Sequence, residues 1–243
     1  MVIRERIEEE MGDIPESQAI QEYIGISKIM GITYALIADQ ISEHIQLKQG
    51  PVLELGTGLG NLTIEIGLRY PHLHVIGLDI SENMVKLATQ SLKETSLNTI
   101  EFVVGDAHTL DFKDESVELV VSHGAMHHWM DAKTVLSEIH RVLLPGGLAY
   151  ISDLRRDAPM DVVHQVTGLL SKHQATAFTN SVKAGYLPKE LKDMLTDLCI
   201  NDFSINEQKF SRKTIVKNME KLRNATVKSN SFNELYLNLI IQK

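Results

Sequence analysis

The ten residues VLELGTGLGN at 52–61 constrain this chain more than any other stretch, because an apolar run is broken there by glycines at alternate positions. Val52, Leu53 and Leu55 suit a strand covered on both faces. Gly56, Gly58 and Gly60 let the backbone turn sharply and approach a ligand where a Cβ would collide. The segment NLTIEIGLRY is then expected to be a helix whose free N–H groups aim at that ligand. Glycines also serve plain turns, so the loop takes its meaning from what lies downstream.

Downstream, strand and helix patterns alternate from Gly50 to about Leu154: VLEL, 61–70, HVIGLDI, 82–94, IEFVVGD, VELVVS, 132–143 and LAYISDL. Such alternation implies right-handed crossovers and a parallel sheet. Ser81 and Asp131 stand where helix N-caps belong, and Pro145-Gly146-Gly147 is expected to stop the last helix. Residues 14–48 read as helical, with Gly25 and Gly31 splitting them in two. The alternation is lost over 155–199, which reads as helical, with a helix expected at 188–198. Strands are expected from 201–210 and LYLNLIIQK, joined by a helical segment around 212–224.

The bulk properties narrow the function classes. A net charge of −8 and a pI near 5.7 argue against holding duplex DNA or anionic membrane by global electrostatics. The single cysteine, Cys199, excludes an intramolecular disulfide. The N-terminal MVIRERIEEEMGD is too charged for a secretory signal, and no run approaches the roughly 18 apolar residues of a membrane span. A soluble cytoplasmic protein is the expectation, monomer or homodimer.

In an open α/β sheet, ligands bind beyond the carboxyl ends of the strands. Those ends carry Glu54, Asp79, Asp106, Ser122 with His123, and Asp153. Asp79 lies about 20 positions beyond the glycine loop, where an acidic residue can accept hydrogen bonds from a ribose diol. Its alternative is a helix cap in competition with Ser81. Converging carboxylates disfavour a pyrophosphate, and Asn61 stands where the dinucleotide fingerprint wants a small residue. A cofactor with a ribose, a cationic centre and no phosphate suits the site better.

ELGTGLGN, Asp79 in GLDIS, Asp106 in VVGDAHTL, VELVVSHGAMHHW and RVLLPGG together resemble the class I S-adenosylmethionine-dependent methyltransferase family, closely over about 50–154. The resemblance implies an α/β fold: a doubly wound, mostly parallel, seven-stranded Rossmann-like sheet with an antiparallel last strand. A helical cap (1–48) and a helical lid insertion (155–199) would flank the cofactor core (49–154), and 200–243 would complete the sheet. It further implies that Gly56, Thr57, Gly58, Gly60 and Asn61 pack on the methionyl part of S-adenosylmethionine, with Glu54 near its ammonium. Asp79 would take the ribose hydroxyls, Ile80 the adenine face and Asp106 the adenine amino group, with Ala107 beside it. Ser122 and His123 would lie near the methyl end. The product would be S-adenosylhomocysteine and the acceptor a small molecule.

Residues acting on the acceptor are less constrained. His123, His127 and His128 follow the fourth strand and can supply a general base, or simply pack and cap the turn before Asp131. His123 and His127 could share a helical face and hold a metal with His164, but nothing fixes His164 near them, and no metal is expected. Arg155 and Arg156 can grip an anionic substrate or pair with Asp153 or Asp157. Tyr23, Tyr34, Phe178 and Tyr186 can roof the pocket or belong to the core. Met126 and Met130 beside Trp129 read as lid packing. The competing functions are a dinucleotide oxidoreductase, a donor-binding module without turnover, and a methyltransferase acting on protein or RNA. No basic or aromatic tract supports a nucleic-acid partner.

Overall fold

A computed structural model describes residues 5–8, 16–45, 47, 50–224 and 233–243. The helical expectation for positions 14, 15, 46 and 48, and most of the charged N-terminal stretch, lie outside them. Two helices come first, α1 (Glu16–Met30) and α2 (Ile32–His44). The alternating region follows as β1 (Val52–Leu55), α3 (Asn61–Arg69), β2 (Val75–Asp79), α4 (Glu82–Leu92), β3 (Ile100–Val104) and β4 (Val117–His123). A 3-10 turn (Met126–His128), α5 (Ala132–Val142) and β5 (Leu143–Leu154) come next. The rest comprises α6 (Met160–Thr167), α7 (Lys172–Ala184), α8 (Pro188–Asp197), β6 (Phe203–Glu207), α9 (Arg212–Lys217), α10 (Met219–Arg223) and β7 (Tyr236–Gln242).

The seven strands form one sheet in the order β3-β2-β1-β4-β5-β7-β6. β7 is antiparallel to both its neighbours and the other strands are parallel, as the sequence led us to expect. Succession leaves β1 first toward β2 and later toward β4, so the topology switches direction at the β1–β4 boundary. The glycine loop therefore stands at the crevice where such sheets bind ligands. Every residue of β1 is buried.

Apolar side chains fill both faces. Leu53, Leu55, Val117, Val120, Leu136, Ile139, Leu195 and Leu237 make one layer. Val52, Ile37, Ile41, Leu62, Ile66, Leu119, Val121 and Tyr150 make the other. Val117 and Val120 both belong to the first layer, and the register against β5 shifts between Val117 and Leu119, where β5 carries the extra residues. Such an insertion bends the strand that carries it. A third cluster, with Met30, Val163, Phe178, Val182 and Leu235, seats α6 and α7.

Two expectations need correction. Gly25 does not divide the N-terminal helices, since α1 runs through it and the break falls at Gly31. A Cβ on Gly25 would run into the Gln174 side chain of α7, so this glycine serves close packing. Likewise Pro145-Gly146-Gly147 does not stop α5. The helix ends at Val142, Leu143 is extended, and the Ser116 amide already bonds the Val142 carbonyl at 2.8 Å. The glycines shape a bend inside β5, where Gly146 has φ +81°. Ser81 and Asp131 do cap their helices, accepting from the amides of Met84 at 3.3 Å and Thr134 at 3.1 Å. Among the described residues, no single helix is long and apolar enough to cross a membrane.

Asp39 ties the roof helices to the core. Its carboxylate, 1% exposed, meets Arg69 of α3 and Lys217 of α9 at 2.5 Å each and accepts from Asn218 at 2.7 Å. Burial alone would raise its pKa, yet these partners hold it at about 2. The folded value lies below the ordinary one of 3.8, so this stabilisation is present above that pH and is lost as pH falls through about 2. Asp39→Asn is expected to cost about 2 kcal/mol at pH 7 and much less at pH 2, read from urea midpoints at both pH values.

Candidate active site

Three glycines at the head of β1 have backbones few other residues adopt, with φ of +73°, +52° and +79° at positions 56, 58 and 60. Their neighbours also leave no room for a side chain. A Cβ would stand 2.5 Å from Ala125 Cβ at Gly56, from the Tyr23 hydroxyl at Gly58, and from the Phe102 ring at Gly60. The loop is therefore a close-approach surface, and α1 covers it through Tyr23.

Asp79 braces this loop and does not cap α4, which is Ser81's role. One carboxylate oxygen accepts from the Gly58 amide at 2.8 Å and the other from the Ser81 amide at 3.0 Å. A carboxylate oxygen has two lone pairs, so both keep capacity for a further donor such as a diol. Beside Asp79 the Ile80 side chain is 72% exposed at the sheet edge, an uncovered apolar face. Asp106 is also exposed and accepts from the His108 amide at 2.9 Å and ring Nδ1 at 2.7 Å. The amide bond, then the ring, holds its carboxyl below the usual range. Ala107 packs against the core.

Glu54 occupies the deepest position. It is 2% exposed and accepts hydrogen bonds from the hydroxyls of Thr57 and Thr63. Burial outweighs those bonds and a further one from the Thr63 backbone, and pushes its pKa up to about 8. Thr63 escaped the reading of the sequence. It sits on the first turn of α3, and its place on the face toward β1 was the available signal.

Tyr23, Tyr34 and Asn61 converge as a roof. Asn61 Nδ2 donates to Ser27 Oγ at 3.0 Å, and Ser27 Oγ lies 3.2 Å from the Tyr34 hydroxyl. Burial raises the pKa of both tyrosines. Beside them a cavity of about 370 Å³ opens between Ile24, Ser27, Tyr34, Leu59, Asn61 and Ile64.

The post-β4 residues divide by role. The Ser122 hydroxyl is buried and bonds the Leu55 carbonyl at 2.9 Å, joining β4 to β1. His123, at the end of β4, lies between the rings of Tyr34 and Tyr236. Burial pulls its pKa down to about 4, so it is neutral at pH 7. His127 is 5% exposed, and its Nδ1 meets Asp153 Oδ1 at 2.6 Å. Asp153 also accepts from the amides of Met126 at 2.5 Å and Leu154 at 2.6 Å. The pair thereby fastens the 3-10 turn to the end of β5. His128 is exposed, its ring 4.1 Å from that of His127. Met126 is buried core, whereas Met130 is 74% exposed.

Both arginines are engaged within the protein. Arg155 makes a two-pronged pair with Asp157 at 2.6 and 2.9 Å and reaches Glu207 at 2.9 Å. Arg156, 3% exposed, bonds Glu190 at 2.5 Å and the Gly185 carbonyl at 2.8 Å. Tyr186 is 4% exposed in the core, with the Arg6 guanidinium 4.2 Å above its ring. Among the described residues, no three His, Cys, Asp or Glu side chains gather as a metal site.

A seven-stranded sheet with β7 reversed, a glycine loop at its switch point and an acidic residue ending β2 define the class I S-adenosylmethionine-dependent methyltransferase architecture. Residues 53–151 match the family model described as a methyltransferase domain. A demethylmenaquinone methyltransferase of Thermotoga maritima is 34% identical over 110 residues, 45% of this chain and 46% of that protein. One of Lactococcus lactis is 41% identical over 97 residues, 40% and 38% of the two chains. An arsenite methyltransferase of Halobacterium salinarum is 34% identical over 112 residues, 44% and 28%. The matches thus span less than half of these relatives. The fold is shared more widely. A plantazolicin methyltransferase in complex with SAH superposes with a TM-score of 0.70 at 16% identity, over 95% of this chain and 91% of that one. A phosphoethanolamine N-methyltransferase of Haemonchus contortus in complex with S-adenosyl-L-methionine gives 0.64 at 16% identity, over 93% and 56%.

The residues present fit such a donor, since the cradle excludes every Cβ and Glu54 is a buried carboxylate held by Thr57 and Thr63 with no basic partner among the described residues. An ammonium placed against Glu54 would favour its ionised form. Donor binding at pH 7 is therefore expected to release close to one proton, and affinity to rise by up to roughly tenfold per pH unit below pH 8. Calorimetry in buffers of different ionisation enthalpy reads the proton count, and Glu54→Gln should abolish the release.

Proposed function

We propose that this chain transfers a methyl group from S-adenosylmethionine to a small, ring-bearing acceptor at the edge where β1, β4 and β5 end. The observation that carries the reading is the donor cradle itself, with Glu54 buried beneath the glycine loop and Asp79 bonded to the Gly58 amide. Glu54, Gly56, Gly58, Gly60 and Asp79 would hold the donor, with Ile80, Asp106 and Ala107 at its nucleobase end. When bound there, the donor supplies a methyl already activated by the sulfonium charge, leaving S-adenosylhomocysteine as product.

This chain's contribution is alignment and exclusion of water. Tyr23 closes over the loop, and Tyr34 with Asn61 and Ser27 fixes α1 and α2 on top. His127 and Asp153 hold the turn that forms the far wall. His123 is the side chain at the mouth with a neutral imidazole, able to accept a hydrogen bond from an acceptor hydroxyl. Ser122, Arg155, Arg156 and Tyr186 would support this wall from behind, since their polar groups or rings are already engaged.

Demethylmenaquinone, named in two of the relatives, is an acceptor of the ring-bearing kind. A metalloid acceptor of the arsenite kind fits less well, because soft centres call for thiolate ligands. Cys199 is the sole thiol of the chain, and it precedes β6 at the opposite edge of the sheet.

Asp79→Ala is expected to weaken donor binding by at least about tenfold while leaving the fold intact, because it removes both the loop brace and the diol acceptor. Calorimetric titration with S-adenosylmethionine checks it, and an unchanged Kd would sink the assignment. Isotopically labelled donor incubated with fractionated extract should yield a labelled small product by mass spectrometry. The absence of label in every small-molecule fraction, with label in protein or RNA, would overturn the acceptor class.

A further inference from the structure

Tyr236 is the first residue of β7, and the reversed direction of that strand puts it at the edge where β5 ends, opposite Leu154. Its ring is 6% exposed and lies 5.0 Å from that of His123, with an interplanar angle of 37°. Tyr34 of α2 meets the same imidazole edge-on at 5.6 Å and 86°. The two tyrosines come from either side of the methyltransferase-domain match, and the histidine from within it. His123 Nδ1 is buried and has no well-formed hydrogen bond, with the Ser152 carbonyl beside it.

A ring gripped in this way is fixed in orientation by packing. The groups facing it are Tyr34 from α2, Tyr236 from β7, Ser152 and Asp153 from β5 and His127 from the 3-10 turn. Asp153 would favour a charged imidazole, but its carboxylate is already engaged by His127 at 2.6 Å and two backbone amides. Enclosure by two aromatic rings works the other way, since it removes the water an imidazolium needs.

We propose that Tyr236 is a positioning residue for methyl transfer: with Tyr34 it clamps His123 and presents a neutral imidazole to the acceptor. The proposal rests on the reading that His123 borders the acceptor. A neutral ring nitrogen accepts a hydrogen bond, so the acceptor class is one that still bears a proton when bound, a ring hydroxyl or a primary or secondary amine.

The test uses the full chain saturated with S-adenosylhomocysteine and labelled with ¹⁵N-histidine, the His123 signals being assigned from His123→Gln. In the wild type and in Tyr236→Phe, which keeps the ring, His123 should stay neutral from about pH 5 upward. In Tyr236→Leu it should titrate near the ordinary value of about 6.5. The same variant should lose about tenfold or more in kcat/KM with labelled donor at unchanged affinity for S-adenosylhomocysteine. Tyr34→Leu gives a second way to open the clamp should Tyr236→Leu fold poorly. A His123 titration unmoved in both leucine variants, or a Tyr236→Phe as impaired as Tyr236→Leu, would overturn the proposal. Failure of the wild type to bind S-adenosylhomocysteine would instead count against the methyl-transfer reading, leaving the imidazole titration to judge the clamp.

Discussion

A carboxylate enclosed at the end of a buried strand must find a cation, keep a proton or gather hydroxyl donors, and the core of this protein is arranged around that constraint. Glu54 has two threonine hydroxyls and no basic partner among the described residues, so its charged form is held in suspense. The glycine loop above it, the Asp79 brace and the Tyr23 cover all depend on β1 being buried on both sides. Only a central strand in a sheet with helices on both faces can place an acid so deep while its end opens to a ligand. The same depth that makes the unpaired acid costly makes a cationic ligand rewarding.

Around that centre the structure separates what holds from what touches. Asp39, Arg155, Arg156 and the His127–Asp153 pair are engaged within the protein and fasten helices and turns to one another or to strand ends. Asp79 and Ile80 present unfilled hydrogen-bonding capacity or bare apolar surface at the cleft. His123 belongs with the second group by position and with the first by packing. Charged residues near a cleft are therefore a poor guide to contact, because ion pairs tie chain segments together as readily as they bind substrates.

The alternating core was readable because its signals are local. A glycine with positive φ, a serine cap and a fully apolar strand each announce themselves within a few residues, and Ser81, Asp131, Gly58 and β1 all stood where the pattern put them. Asp79 as a loop brace was half legible, since its position follows from strand length but its bond to Gly58 does not. Gly25 misled because a glycine chosen for helix packing looks like one chosen for a break. The bend in β5 misled because Pro-Gly-Gly punctuates a strand bulge as well as a helix end. Thr63 and Tyr236 were missed for a different reason: each reaches the site from another element, and nothing in the neighbouring sequence says which face it occupies. The side of a strand facing a distant histidine is decided by strand order, and the reversal of β7 between β5 and β6 is information of that kind.

That reversal also bears on how the molecule comes into being. Synthesis runs from the N-terminus, yet β7 lies between two strands made earlier. Until it emerges, β5 has one unpaired edge and β6 has no strand partner at all, and a neighbouring polypeptide can add a strand to either. Docking of β7 covers the open edge of β5, gives β6 its partner and brings Tyr236 against His123 in a single event. Sheet closure and completion of the wall beside the site thus coincide. A chain whose last strand has not docked is exposed to aggregation and lacks that wall.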